Sequence, residues 1–214
     1  MPERSSSSPS AELTVSSIRR KKGSATSVVT LDDGSFFLIS GDDVSRLALV
    51  EGKAADGKAL ETAAARHELA LAYEKAVELI ARRDHAAGEL ETKLAGRRFS
   101  REAIDATVRR LTEERLLDDR RFAEEFVRRR LERHPEGPPV LRARLVAKGV
   151  ERELADSAVS RIVDDEVLRR ALERAAEKLA AGGRRGEKLR GALQRRGFPI
   201  PAVREQVRRL FPDD

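Results

Sequence analysis

The 214 residues include 43 basic and 37 acidic side chains, 40% apolar residues, only 4% aromatics and no cysteine. Disulfides and thiolate metal sites are therefore excluded, and no apolar run is long enough to span a bilayer. With no signal-peptide stretch at the N-terminus, the expectation is a soluble, cytoplasmic protein built of thin Leu/Ala helical layers.

Residues 1–11 (MPERSSSSPSA) have too little apolar content to fold and are expected to be a disordered tail. Residues 12–58 read as a small β-hairpin region with a short helix. Thr26 to Leu31 and Ser35 to Ser40 are β-branched and aromatic runs around Asp32-Asp33-Gly34, and Asp-Gly between such runs signals a hairpin. Leu13 to Ile18 offers a third strand, followed by the basic loop Arg19-Arg20-Lys21-Lys22-Gly23. Asp42 or Asp43 is placed to cap a helix running to Val50, which Gly52 ends.

From about Leu60 the pattern is helical, and a hidden repeat organises it. Leu90, Leu94, Phe99, Ile104, Val108 and Leu111 recur as Leu141, Leu145, Val150, Ala155, Val159 and Ile162, then as Leu189, Leu193, Phe198, Val203, Val207 and Leu210. The steps of four and three keep apolar groups on one helix face, and the two steps of five bridge a turn. Counting the helix that precedes each set, the expected body is three tandem three-helix repeats at 59–117, 118–165 and 166–214. Gly88 or its neighbours should break the first long helix, Asp118-Asp119 should cap the helix at 119–133, and His134-Pro135-Glu136-Gly137-Pro138-Pro139 should end it. Gly182-Gly183 and Gly197 should end the first two helices of the third repeat, and Pro201 should begin the last.

Catalytic patterns are missing. His67, His85 and His134 are far apart and form no zinc motif, and Gly182-Gly183-Arg184-Arg185-Gly186-Glu187-Lys188 fails the spacing of a phosphate loop. The chain therefore reads as a binder or regulator, not an enzyme, with no cofactor and no metal.

Charge offers the candidate contact residues. Residues 167–214 carry 13 basic against six acidic groups, an excess of +7. Two repeat positions are always basic: Arg97, Lys148 and Arg196 stand two residues before Phe99, Val150 and Phe198, and Arg110, Arg161 and Arg209 stand eleven after. Cations in a helix's last turn complement its dipole, so the stripe is either structural or a contact surface. Arg190, Arg195, Arg204 and Arg208 join the candidate set. Arg128, Arg129, Arg130 and Arg133, where acids balance bases along the chain, are expected to matter less.

These residues resemble the RecX family, regulators of the bacterial RecA recombinase. The likeness spans roughly residues 12–210. It is carried by Arg82-Arg83-Asp84-His85, Glu89-Leu90 with Lys93-Leu94, and Leu116-Leu117-Asp118-Asp119 with Arg121-Phe122-Ala123; Gly137-Pro138 and Leu145 with Lys148-Gly149-Val150 complete it. Gly96-Arg97-Arg98-Phe99 departs from it where the family has Lys-Gly-Phe. The resemblance implies an elongated, curved, all-helical monomer after the small β region. It further implies that the protein lodges in the groove of the RecA–DNA filament and suppresses RecA's ATPase, strand exchange and co-protease activity, and so the SOS response. RecA as a filament is then the partner, with single- or double-stranded DNA as another, and no membrane. The alternative is a helical-repeat protein binding DNA or RNA directly and nonspecifically through its basic C-terminal unit; with so few aromatics it would rest on phosphates rather than base stacking.

Overall fold

The structure, a computed structural model, describes residues 13–212, so the expectation for residues 1–11 lies outside the described residues. The described residues divide into two compact units, 13–77 with 94–107 and 78–93 with 108–212.

In the first unit, β1 (Leu13–Arg20), β2 (Thr26–Leu31) and β3 (Phe36–Ser40) form the expected antiparallel strands. Gly34 supplies the positive φ (84°) that the Asp-Gly turn requires, and Asp33 accepts hydrogen bonds from the Ser35 amide (2.9 Å) and hydroxyl (2.6 Å). A two-residue strand, β4 (Ala54–Ala55), adds to β1 and completes the order β3-β2-β1-β4. Two alanines carry no strand signal, and only the sheet edge creates it. The short helix α1 (Gly41–Arg46) corrects the expected cap. Ser40 is the N-cap, its hydroxyl accepting from the Asp43 amide (3.0 Å), while Asp43 is itself buried against Arg46 and Arg66. The helix also stops well short of Val50, because Ala48 turns the chain at φ 46°.

The long helix α2 (Gly57–Arg82) starts on this sheet, where Leu60 and Ala63 join Val15, Val29, Leu31 and Ile39 in one core. His67 meets the Thr26 hydroxyl (2.9 Å), and burial lowers the imidazole pKa below its ordinary value despite the nearby Asp43 charge. Glu68 accepts from both the amide and the hydroxyl of Ser100 (2.7 Å each), which anchors the start of α4 (Arg101–Glu113).

Helices α3 (Ala87–Ala95), α5 (Asp119–Arg133), α6 (Pro138–Ala147), α7 (Arg152–Ile162), α8 (Asp165–Ala181), α9 (Gly186–Arg195) and α10 (Ile200–Leu210) complete nine repeat helices among the described residues, three per repeat. Asp118 caps α5 as expected, accepting from the Arg121 amide at 2.9 Å. Of the eighteen repeated apolar positions, Phe99, Val108, Ile162 and Leu210 are half-buried and the other fourteen are buried; Leu94, Leu145 and Leu193 have no exposed surface. The body is therefore all-helical, in three repeats after a small β region. The spacing worked because a helix stripe that repeats at fixed intervals needs the same neighbour each time.

One expectation is corrected. Gly88 does not break α2, which ends at Arg82; it lies inside the first turn of α3. Its reason is packing. A Cβ on Gly88 would stand 2.6 Å from the carbonyl oxygen of Gly149, just beyond α6, and one on Gly149 would stand 2.6 Å from Gly88 backbone. The next pair repeats the arrangement: Gly137, at the start of α6, meets Gly197, just beyond α9, and the Gly137 amide donates to the Arg196 carbonyl at 2.7 Å. The start of each repeat's second helix thus abuts the end of the next repeat's second helix, backbone to backbone. Gly149 (φ 84°) and Gly197 (φ 81°) also need the left-handed region, and the equivalent first-repeat position is Arg98, at φ 65°.

Candidate nucleic-acid interface

The segment between α5 and α6 builds the candidate site. Pro138 and Pro139 fit the first turn of α6, where a missing N–H costs nothing, and the preceding Pro135-Glu136-Gly137 is buried. This folds Glu136 inward, with its side chain 7% exposed, between two arginines. Arg130, one turn before the end of α5, donates from Nε (3.1 Å) and Nη2 (2.7 Å), and Arg144, near the end of α6, from Nε (2.8 Å) and Nη2 (2.7 Å). Two bidentate forks thus close on one carboxylate. Burial pushes the Glu136 pKa up, but the bonds from Arg144 and Arg130 outweigh it and hold the group below the ordinary glutamate range.

This triad forms one wall of a cavity of about 380 Å³. Arg184, Arg195 and Arg196 complete the basic lining, and Leu179 and Ala192 are its only apolar members. Five guanidiniums against the single Glu136 carboxylate leave an excess of four positive charges. A second cavity of about 320 Å³ shares Arg130 and His134 with the first and adds Arg83, Arg129, Arg133 and Lys148 beside Phe122 and Phe126, with one acid, Asp84, 3.8 Å from Arg129. The two rings stack with centroids 6.4 Å apart, and the Lys148 ammonium lies 5.8 Å from the Phe126 centroid. A cation over that ring favours an incoming phosphate over an incoming base.

The ten cations singled out from the sequence divide three ways. Lys148, Arg195 and Arg196 line these cavities. Arg110 pairs with Glu114 (2.8 Å), Arg161 with Glu124 (3.5 Å), Arg190 with Glu187 (2.9 Å), Arg208 with Glu205 (3.3 Å) and Arg209 with Glu173 (3.5 Å). Arg97 and Arg204 are exposed. The two stripe positions therefore differ in the second and third repeats. Lys148 and Arg196, at the ends of α6 and α9, open onto the cavities, whereas Arg161 and Arg209 tie the third helix of each repeat to its first. Arg129, Arg130 and Arg133, discounted because acids balance them along the chain, are cavity residues. Of the acids beside them, Glu124 pairs with Arg128 and Arg161, outside the cavities, whereas Glu125 pairs with Arg129 itself (3.7 Å). Glu136 and Arg144 had no sequence signal beyond an acid set between Pro135 and Gly137.

Models of the family match twice: the first three-helix domain of RecX over residues 72–111 and the second over residues 118–159. The regulatory protein RecX of Chlorobium phaeobacteroides is 35% identical over 144 residues, 65% of this chain and 93% of that protein. The chain belongs to the RecX family. The regulatory protein RecX of Halorhodospira halophila is 39% identical over 146 residues, 65% of this chain and 88% of its own length. Among solved structures, a crystal structure of regulatory protein RecX superposes with a TM-score of 0.63 at 22% identity, covering 92% of this chain and 99% of that one. RecX from Lactobacillus salivarius gives 0.58 at 22% identity, covering 67% and 96%. At that identity the likeness concerns the fold. RecX proteins are regulators by the names they carry, and no described helix here is long and apolar enough to cross a membrane.

Proposed function

We propose that this chain is a RecA regulator acting in the cytoplasm, which binds along the groove of the RecA–DNA filament and suppresses ATP hydrolysis, strand exchange and co-protease activity. Membership of the RecX family carries the reading, and the charged surface is compatible with it. A filament repeats its phosphates and acidic side chains, and stacked repeats with cations at equivalent positions multiply weak contacts into avidity. Surface ion pairs such as Arg161–Glu124 are worth at most about 1 kcal/mol, so these arginines remain available for exchange with a partner's acids.

RecA ATP turnover on single-stranded DNA should fall as the protein is added, at or below stoichiometric ratio to RecA, and strand exchange should fall with it. Unchanged turnover at saturating protein refutes the assignment. The alternative, direct nucleic-acid binding without RecA, is favoured by the two basic cavities; DNA bound equally tightly with and without RecA, and no effect on turnover, would establish it instead.

A further inference from the structure

The N-terminal sheet ends on a strand whose outer edge is unpaired among the described residues. β3 is outermost in the order β3-β2-β1-β4. The bonds from the Leu31 amide to the Ser35 carbonyl and from the Gly41 amide to the Ala25 carbonyl bracket its pairing with β2. Antiparallel ladders alternate, so Phe37 and Ile39 bond to β2, whereas the N–H and C=O groups of Phe36 and Leu38 point off the edge. Both side chains are exposed too, Phe36 by 64% and Leu38 by 45%, on the face opposite the core residues Val29 and Ile39. Natural edge strands are guarded by a charge, a proline or a bulge. β3 reads Phe-Phe-Leu-Ile-Ser in unbroken register with β2 and has none of these. Charge gathers at its ends instead: Asp32 and Asp33 precede it and Asp42 follows, all exposed. A second copy of the chain, added antiparallel with its Leu38 beside Phe36, would bring Asp42 of each copy toward Asp32 of the other. Like charges facing across strands are unfavourable. The same acids suit an incoming strand that carries cations at its ends.

We infer that β3 is a docking edge for an extended segment of a partner protein, one with alternating apolar side chains and Lys or Arg at both ends. The segment adds as a fifth strand, its main chain bonding the free groups of Phe36 and Leu38. Its apolar side chains extend the exposed row that Leu38 forms with Val28, its partner on β2. Main-chain bonds supply affinity, and the apolar row and the end charges supply selectivity. The sheet's own cations Arg19 and Arg20 lie on β1, with β2 between them and this edge. None of these residues lines the basic cavities, so the inference stands apart from the proposed regulation of RecA.

The test uses the full chain without RecA and the fluorescently labelled peptide Lys-Val-Thr-Val-Thr-Val-Lys, followed by anisotropy. On binding, amide exchange at Phe36 and Leu38 should slow, while Phe37 and Ile39, already bonded to β2, should not change. An added strand bonds through alternate amides only. Two peptides N-methylated at alternate positions, in opposite phase, should therefore differ in affinity by roughly tenfold, as expected for one or two main-chain bonds of ordinary net worth. Replacing both lysines by glutamate should weaken binding at low salt, and the difference should shrink as salt rises. Phe36→Thr with Leu38→Thr keeps strand-forming residues at exposed positions, so it should melt like the parent while losing most of the affinity. If it does not melt like the parent, Leu38→Lys, which adds the missing edge charge, should give the same loss. Ile200→Thr, at an exposed position of α10, should leave affinity unchanged. No binding, equal affinity of the two methylated peptides, unchanged exchange at Phe36 and Leu38, or equally tight binding of the glutamate peptide overturns the docking edge. So does self-association that the peptide displaces, which would assign the edge to a second copy. Partition onto phosphatidylcholine vesicles that the double threonine variant loses would likewise overturn it and assign the face to a membrane.

Discussion

Gly137→Ala should lower the stability of the protein by about 3–5 kcal/mol, the upper range for overpacking with a lost hydrogen bond added. At about 2–4 °C per kcal/mol for a domain of this size, the melting temperature should fall by roughly 6–20 °C. A Cβ at this position would lie 1.9 Å from the Gly197 carbonyl oxygen, 2.4 Å from its carbonyl carbon and 2.9 Å from the Phe198 nitrogen. All three are backbone atoms, so no side chain can rotate aside. The second helices of the two repeats have to move apart, and the Gly137 amide loses the Arg196 carbonyl. Gly88→Ala should act in the same direction at the other seam, where the clash is 2.6 Å. Arg98→Gly should do the reverse. That residue is left-handed without being glycine, and relieving the strain should stabilise by up to about 1 kcal/mol. Thermal melts of the three variants check this; Gly137→Ala melting within a degree or two of the parent would show that the seam yields without cost.

Glu136→Gln should separate stability from binding. Removing one partner of a fully buried ion pair costs about 3–5 kcal/mol, but Arg144 is half exposed and Arg130 a quarter exposed. Solvent screening brings the expected loss to about 2 kcal/mol. Affinity for single-stranded DNA should move the other way, because the substitution deletes the single negative charge in a wall of five arginines and releases two forks; tighter binding and a steeper salt dependence are expected. The pH dependence has a definite sign. Glu136 titrates below its ordinary range in the fold, so its contribution is complete above the unfolded glutamate pKa of about 4.3. It fades as the pH falls through the lower folded value. The parent should therefore lose this increment of stability on acidification, and Glu136→Gln should show a smaller decline over the same range. A variant that melts like the parent, or binds DNA more weakly, contradicts the assigned role of the triad.

The helices were legible because their signals are local. Apolar side chains three and four residues apart define a face within a single helix, and Asp118, Gly182 and Gly197 act on hydrogen bonds within one turn of themselves. The same locality explains the errors: Gly88 looks like a helix breaker by propensity, but its missing side chain answers to Gly149, in the next repeat. Asp43 looks like a cap, but Arg66, on a different helix, draws it into the interior while Ser40 takes the capping bond.

The site divides along the same line. Chain order by itself determined that the body is helical, that it repeats three times, and which positions recur as basic. It also balanced Arg128, Arg129, Arg130 and Arg133 against the acids beside them, whereas Arg129, Arg130 and Arg133 line the cavities in the fold. Charge neutrality along a chain counts neighbours in sequence, whereas a ligand meets neighbours in space. Tertiary structure turned Glu124 toward Arg161, left Glu125 paired with Arg129, drew Glu136 between arginines six and eight residues away, and brought Arg184, Arg195 and Arg196 from the following repeat to the same wall. Those positions follow from how one repeat stacks on the next, and the stacking is set by glycines whose close contacts lie in another repeat.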